Sequence, residues 1–218
     1  MLFRSYGDNT ECTTLIVVLV EKALKIRLEL SYTVFDACDT ITRKVALLND
    51  SDEAISIERL FSYQLDLPKS TYDLVTFDGT WARERYRNER KLLPGIIVND
   101  SKTGMSSSRH NPCVFLKESG KGESEGDCYG SNLIYSGDHS ETVEISPYGK
   151  TRLLSGLNPA TFRWSLQAGE KFQSPEAVLT FSHEGLNGAS AHFHRFINSH
   201  VVRGDRKSTR LNSSHRIR

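Results

Sequence analysis

Length, composition and charge describe an ordinary globular chain: 218 residues, 38% hydrophobic, 25% charged, with a formal net charge of +1, which is enough apolar sequence to bury a core. The last segment, residues 204–218, holds five of the 28 Lys and Arg residues and one of the 27 acidic residues, so the rest of the chain is slightly acidic and does not predict a nucleic-acid partner. No apolar run approaches the roughly 18 residues of a membrane span, and four cysteines without C-x-x-C spacing predict reduced thiols in a cytoplasmic protein, with neither a zinc site nor a disulfide framework.

Apolar and polar residues alternate with a period of two along most of the chain, which predicts strands. The first apolar run, Leu15–Val20, is expected to be a buried strand because it is too short for the core of a signal sequence. In Ile26–Phe35 the alternation predicts a strand with one wet face. The other predicted strands are Ile41–Leu48, Ile55–Leu65 (as a pair or one bent strand), Leu74–Phe77, Asp127–Tyr135, Thr142–Ser146, Thr151–Gly156, Phe162–Leu166 and Ala177–Ser182. Short strands joined by Gly, Asn and Pro turns predict a mainly β fold, an antiparallel sandwich.

Two later segments depart from this alternation. Pro94–Pro112 has little periodicity and is expected to be a long irregular loop, a kind of segment that is often functional or packed on a neighbour. Gly188–Val202 changes to a helical period, with Asn187 and Ser190 as candidate N-caps. One stripe of this helix carries Phe193, Phe196, Ile197, His200 and Val201.

Patterns that carry catalytic or metal chemistry are weak in this sequence. A glycosidase needs two carboxylates about 5 to 10 Å apart, and the spacing of the 27 acidic residues selects no pair. His192 and His194 would point apart on a helix, the serines beside His110 do not define a triad, and Gly120–Gly126 lacks the Lys-Ser/Thr of a phosphate loop and fits a polar hairpin tip. The sequence therefore assigns no catalytic residue, metal ligand or cofactor.

The segment Phe77–Arg90, "FDGTWARERYRNER", is the best candidate for a binding site. An aromatic ring beside a turn suits the C–H face of a sugar, with nearby polar groups for the hydroxyls. The alternative is that Trp81 belongs to the core beside an ion-pair network, and the spacing alone favours this alternative. The network would contain Arg83, Glu84, Arg85, Arg87, Glu89 and Arg90.

Three stretches resemble the N-terminal domain of α-galactosidases of glycoside hydrolase family 36. They are residues 58–96, which contain "LVTFDGTWARERYRNERKLLPGI", residues 103–112, "TGMSSSRHNP", and residues 135–188, which begin "YSGDHSETVEISPYGKTRLL". The resemblance extends over residues 24–204 and keeps the order and spacing of Gly79-x-Trp81-x-Arg83-Glu84-Arg85. Small departures from the family pattern are Thr80, where the family commonly has Ala, and Cys113, where it usually has Phe.

The resemblance implies a division of the chain and a role for Trp81. Residues 1–187 would be a large supersandwich-like β-sandwich, N-terminally incomplete, and residues 188–203 a helix linking to a (β/α)8 barrel. Residues 204–218 do not resemble the family, and their basic, Ser-rich composition predicts a disordered, artefactual tail. Trp81 would be a substrate-binding residue that reaches the galactose pocket, with Asp78, Gly79, Arg83 and Glu84 as possible supports of its loop. The two catalytic Asp residues would belong to the barrel, so this chain would have no catalytic residue.

The implied activity is retaining hydrolysis of terminal non-reducing α-galactose residues, as in melibiose and raffinose-type oligosaccharides. The implied partners are an α-galactoside and further copies of the full-length enzyme, with a tetramer as one form and Pro94–Pro112 as an interface element; no nucleic acid, membrane or cofactor is expected. Alternatives on the same scaffold are a raffinose- or stachyose-synthesising galactosyl transferase and an α-N-acetylgalactosaminidase. A different class of alternative is a non-catalytic module for carbohydrate binding or oligomerisation.

Overall fold

The computed structural model describes residues 5–106 and 109–202, which form antiparallel sheets followed by one α-helix. In chain order the strands are β1 (Thr13–Glu21), β2 (Ile26–Phe35), β3 (Thr40–Asn49), β4 (Ile55–Ile57), β5 (Phe61–Leu67), β6 (Tyr72–Thr80), β7 (Arg83–Lys91), β8 (Gly95–Asp100), β9 (Cys113–Glu118), β10 (Cys128–Ile134), β11 (His139–Ile145), β12 (Thr151–Leu157), β13 (Trp164–Leu166), β14 (Lys171–Gln173) and β15 (Glu176–Ser182). A short 3-10 helix, Asp36–Cys38, joins β2 to β3, and helix α1 is Gly185–His200.

The strands divide into a large sheet, a smaller sheet and a short ribbon. The large sheet has nine strands in the order β1-β2-β3-β15-β10-β9-β6-β7, with β14 also paired to β3. The smaller sheet has the order β5-β12-β11-β8, and β13 pairs with β4. All of these strand pairs are antiparallel, so the mainly β, antiparallel sandwich that ends in a helix is confirmed.

The nine-stranded sheet is the middle layer, with the four-stranded sheet on one face and α1 on the other. Successive residues of a strand point to opposite faces, and neighbouring residues of β6 accordingly enter two different cores: Leu74 lies between the sheets, and Val75 lies under the helix. The inter-sheet core contains Tyr63, Leu67, Tyr72, Leu74, Leu92, Val114, Leu116, Leu133, Val143, Ile145, Leu153 and Ala177. The core under the helix contains Phe35, Cys38, Val75, Phe115, Cys128, Val178, Leu186, Ala189, Phe193 and Phe196.

The sequence correctly predicts that β1 is a strand, but its prediction that this strand is buried is wrong. It pairs along its whole length with β2, and the register joins Leu15 to Tyr32 and Leu19 to Leu28. Every residue of β1 is nevertheless exposed, because β1 is the outer strand of the nine-stranded sheet and no layer of the described structure covers it. The aliphatic run that predicts burial therefore lies on an open sheet edge.

Helix α1 has the predicted apolar stripe but a different beginning. Phe193, Phe196 and His200 are buried, as the periodicity predicts. The N-cap is Glu184, without a capping side-chain hydrogen bond, so the candidate N-caps Asn187 and Ser190 are wrong and lie inside the helix. The predicted tail at residues 204–218 lies outside the described residues.

The two ends of the described chain are held against each other. The backbone N–H of Tyr6 donates to the carbonyl of His200 at 2.9 Å, and the carbonyl of Tyr6 accepts from Nδ1 of His200 at 2.9 Å. The hydroxyl of Tyr6 donates to the carbonyl of Val202 at 3.0 Å. The segment before β1 is therefore attached to the C-terminal end of α1.

The state of the cysteines bears on the prediction of reduced thiols. All four cysteines are free thiols, and burial raises the pKa of Cys113 and of Cys128 to about 12, which disfavours the reactive thiolate. In the described part of the chain no helix has the length and apolar character needed to cross a bilayer.

Candidate functional site

Trp81 lies at the tip of the hairpin formed by β6 and β7. Thr80 and Arg83 close the hairpin as a cross-strand pair, and Trp81 with Ala82 makes the turn. The turn requires the left-handed region at Ala82, with φ +61°. The side chain of Trp81 is 90% exposed, so the interpretation of Trp81 as a core residue is wrong. Its indole ring can be contacted by a ligand.

Gly79 permits a β-bulge just below this tip. Asp78 pairs with Tyr86 and Thr80 with Arg83, so the single residue Gly79 opposes both Glu84 and Arg85. Arg85 takes up the extra residue with φ +59°. A Cβ at Gly79 would lie 2.2 Å from the carbonyl oxygen of Arg83, far inside contact distance. Only glycine fits where the two strands approach this closely.

Substitution of this glycine should destabilise the hairpin. We expect Gly79→Ala to lower the free energy of unfolding by about 1–3 kcal/mol, since the clash is with backbone that cannot move aside. Urea denaturation followed by circular dichroism measures the change. Gly122→Ala is the matched control, because a Cβ there meets only the side chain of Glu125 at 3.4 Å or more. A loss no larger than that of the control would contradict the role of Gly79.

Asp78 is the polar centre of the hairpin base. Its carboxylate accepts hydrogen bonds from Thr76 Oγ1 at 2.8 Å, Asn88 Nδ2 at 2.7 Å and His110 Nδ1 at 3.0 Å. Burial acts to raise the pKa of Asp78, but the hydrogen bonds outweigh it, led by that from His110, and the pKa lies below its ordinary value. Asp78 is therefore an ionised structural acceptor that joins β6 to β7 and to the segment around His110.

The charged residues of β7 divide into a paired group and an unpaired group. Arg87 contacts Glu89 at 2.6 Å and also pairs with Glu123, and Glu89 pairs with Lys117. Arg83, Glu84, Arg85 and Arg90 are exposed, and no ion pair joins any of these four to another described residue. The expected six-member network is thus wrong for these four residues. The role of Arg83 and Glu84 as loop supports remains a prediction.

A third segment, residues 109–111, lies along the base of the hairpin. Asp78 and His110 form an isolated β-bridge. The N–H of Gly79 donates to the carbonyl of Arg109 at 3.1 Å, and the N–H of Asn111 donates to the carbonyl of Phe77 at 3.0 Å. The prediction of one irregular loop over 94–112 is therefore wrong, because its first part is strand β8 and its last part pairs with β6.

A buried acid–base pair lies directly behind this segment. Nδ1 of His139 is 2.8 Å from Oε2 of Glu141, and both side chains have 0% exposure. Burial opposes the charge on His139, but the Glu141 carboxylate outweighs it and the pKa of His139 is raised. Burial also raises the pKa of Glu141, against the hydrogen bonds that it accepts from His139, Ser155 and Asn99.

Sequence reasoning missed this pair, although the signal for it was present. His139, Glu141, Val143 and Ile145 alternate along β11, and the two apolar members point into the inter-sheet core. A period of two places His139 and Glu141 on the same inward face. Ionisable residues on that face predict a buried, paired cluster.

The remaining sequence candidates are separated in the structure. Gly120–Gly126 lies in the turn between the paired strands β9 and β10, as predicted for a hairpin tip. His192 contacts Thr180 Oγ1 at 2.8 Å through Nδ1. Over residues 5–106 and 109–202, no three His, Cys, Asp or Glu side chains are grouped as metal ligands would be. Of the serines beside His110, residues 107 and 108 lie outside the described range.

Comparison with known proteins places this chain in a protein family. The family model for the glycosyl hydrolase family 36 N-terminal domain matches residues 2–167. The chain therefore belongs to glycosyl hydrolase family 36 and corresponds to its N-terminal domain.

Individual relatives agree with this assignment. The chain is 37% identical over 199 residues to a probable α-galactosidase C of Aspergillus flavus, covering 91% of this chain and 26% of the relative. A solved complex of the family 36 α-galactosidase AgaA of Geobacillus stearothermophilus with stachyose matches with a TM-score of 0.90 and 34% identity, covering 93% of this chain and 28% of AgaA. The α-galactosidase of Lactobacillus brevis matches with a TM-score of 0.89 and 35% identity, covering 92% and 27%. The chain thus spans about a quarter of the length of these relatives.

Proposed function

We propose that this chain is the N-terminal domain of an α-galactosidase that hydrolyses terminal non-reducing α-galactose residues, and that Trp81 is its contribution to substrate binding. Family membership supports the activity, since the relatives are α-galactosidases and AgaA has been solved with stachyose and with raffinose. The observation that carries the role of Trp81 is its 90% exposure at the tip of a hairpin whose base is fixed by Asp78 and Gly79. A flat, exposed indole on a fixed support suits the apolar face of a pyranose ring.

Asp78 and Glu141, the two carboxylates at the base of the hairpin and behind it, have structural roles. Retaining hydrolysis needs a nucleophilic carboxylate and an acid of raised pKa on either side of the glycosidic bond. Asp78 has a lowered pKa and three donors around it. Glu141 has a raised pKa but is fully enclosed, so it cannot reach a sugar. In the proposal, the catalytic carboxylates come from outside this chain, and the isolated chain does not hydrolyse α-galactosides.

Titration of the purified chain with raffinose, followed by nuclear magnetic resonance or calorimetry, tests the role of Trp81. We expect weak binding that falls at least about tenfold in Trp81→Ala, which corresponds to about 1.4 kcal/mol. Trp164→Ala is the matched control, because Trp164 is the other tryptophan and its ring contacts that of Phe172, with centroids 5.4 Å apart and planes tilted by 43°. Equal affinity in the parent and Trp81→Ala, or an equal loss in both variants, would contradict the proposal.

An assembly role is the second candidate, and the open apolar edge of β1 is the observation that favours it. An unpaired strand edge is a template for pairing with another chain. Self-association of the chain without any raffinose binding would favour this candidate. A homo-oligomeric full-length enzyme and a cytoplasmic location remain predictions, and residues outside this chain decide between a hydrolase and a transferase.

A further inference from the structure

Two successive backbone carbonyls at the base of the Trp81 hairpin are held from inside the sandwich. Nε2 of His139 lies 3.1 Å from the carbonyl oxygen of His110, and Nδ2 of Asn99 donates to the carbonyl oxygen of Asn111 at 2.8 Å. Both donors come from the four-stranded sheet, His139 from β11 and Asn99 from β8. The smaller sheet therefore holds residues 109–111, the segment that pairs with β6 of the larger sheet.

Glu141 sets the position of both donors. Its Oε2 lies 2.8 Å from Nδ1 of His139 and accepts from Nδ2 of Asn99 at 3.2 Å, while its Oε1 accepts from Oγ of Ser155 at 3.2 Å. A carbonyl oxygen can only accept, so Nε2 of His139 must carry a hydrogen. The contact at Nδ1 then holds one shared proton between imidazole and carboxyl, and the pair has no net charge whichever partner holds that proton.

Residues 109–111 are in turn hydrogen-bonded to the hairpin. Residues 109–111 bond to β6 at Phe77 and Gly79 through backbone groups and at Asp78 through His110. Trp81 is two residues beyond Gly79. Hydrogen bonds thus connect Glu141, through His139, Asn99 and the backbone of residues 109–111, to β6, the strand that leads into the Trp81 turn.

From this path we propose that His139, Glu141 and Asn99 are positioning residues, which fix the orientation of the Trp81 hairpin relative to the sandwich. The proposal rests on the proposed function only in taking Trp81 as the residue that must be oriented. A buried ion pair is often no more stable than an apolar pair of the same shape, so core stability alone gives little reason for this cluster. Two donors aimed at adjacent carbonyls do supply a directional constraint, which apolar side chains cannot.

Hydrogen exchange of single amides in the 218-residue chain tests the proposal. The reporter amides are those of Gly79 and Asn111, whose N–H groups join the hairpin to residues 109–111. In His139→Leu we expect both to exchange at least tenfold faster relative to the amides of Val143 and Leu153, which belong to the β11–β12 ladder. His139→Gln should restore slow exchange, because its amide nitrogen can replace the Nε2 donor to the carbonyl of His110.

Two further variants keep the test decisive. If His139→Leu does not fold, Asn99→Ala takes its place, since it removes the other donor to a carbonyl of this segment. It should give the same selective acceleration of exchange at Gly79 and Asn111. Tyr63→Phe is the matched control, because it removes a different buried hydrogen bond of the same core, the one to Ser131. Acceleration that is uniform over all amides, that is not rescued by His139→Gln, or that is equally selective in Tyr63→Phe would overturn the proposal.

Raffinose titration of the same variants separates this inference from the proposed function. Selective acceleration together with weakened binding supports both. Selective acceleration with unchanged binding supports the positioning of the hairpin and contradicts the assignment of Trp81 to the sugar. Unchanged exchange at Gly79 and Asn111 overturns the positioning role whatever the titration shows.

Discussion

Phe196→Ala is expected to lower the free energy of unfolding by about 3–5 kcal/mol, the usual range for a large aromatic removed from a core. Phe196 has 0% exposure and belongs to the core under α1. Its ring meets that of Phe35 edge-on at 5.0 Å and that of His200 at 5.7 Å. The helix packs on the sheet through this one stripe, so the cavity removes contacts that tie it to both β2 and its own last turn.

Urea denaturation followed by circular dichroism measures this loss. Phe181→Ala is the matched control: Phe181 is also in ring contact, with Tyr129 at 4.7 Å, but it is exposed and lies on the side of Tyr129, which packs against the inter-sheet core. A smaller loss is expected there, because water already reaches that ring and little cavity remains. Equal losses in the two variants would show that the stripe of α1 is not the main attachment of the helix.

Replacing one partner of the His139–Glu141 pair is expected to cost about 3–5 kcal/mol, because the other is left buried and uncompensated. His139→Leu leaves the carboxyl of Glu141 with Ser155 and Asn99 as its donors, and Glu141→Leu leaves Nδ1 of His139 facing an apolar side chain. The double variant should lose less free energy of unfolding than the two single variants combined, by about 2 kcal/mol. The reason is that neither ionisable group remains in it to be buried without a partner.

Chemical denaturation of the two single variants and the double variant gives this coupling energy. The exposed pair of Arg152 and Asp66, 2.7 Å apart, is the control, and its coupling should be no more than about 1 kcal/mol because water screens both charges. Strict additivity at His139 and Glu141 would mean that the two side chains do not interact in the folded protein.

The alternation of residues predicts the sandwich well wherever a strand has two different faces. Ile26–Phe35 is predicted and observed with the same bounds, but its predicted wet face is wrong, because residues 26–33 are all half-buried. Strand β7 was missed because its sequence, "RERYRNERK", is almost entirely charged and exposed. It is a strand because it pairs with β6 in a fixed register, which a local pattern cannot show. Strand β9 was missed for the opposite reason, since Val114, Phe115 and Leu116 are all buried, on both faces of the sheet, and do not alternate.

The indole ring of Trp81 could be predicted from the sequence, but the contacts that hold its hairpin could not. Resemblance to a family selects Trp81, whereas spacing alone places it in the core, because a tryptophan followed by charges does not reveal a two-residue turn. The close approach at Gly79 depends on the register of β6 against β7. The contacts of His110 with Asp78 and His139 join residues 32 and 29 positions apart in the chain, respectively. Such pairings follow from the packing of the two sheets, which single-sequence patterns do not contain.

The contacts between Tyr6 and His200 place the two ends of the described chain side by side, as in a chain that could be circularised. If the two ends were joined, the order of the elements along the chain would depend on where new termini were introduced, whereas the packing of the layers would not. A circular permutant joined across residues 6 and 200 and reopened at the exposed turn near Gly120 would keep both cores and the Trp81 hairpin. The attachment points before Tyr6 and after Val202 also lie close together on the surface of the described domain.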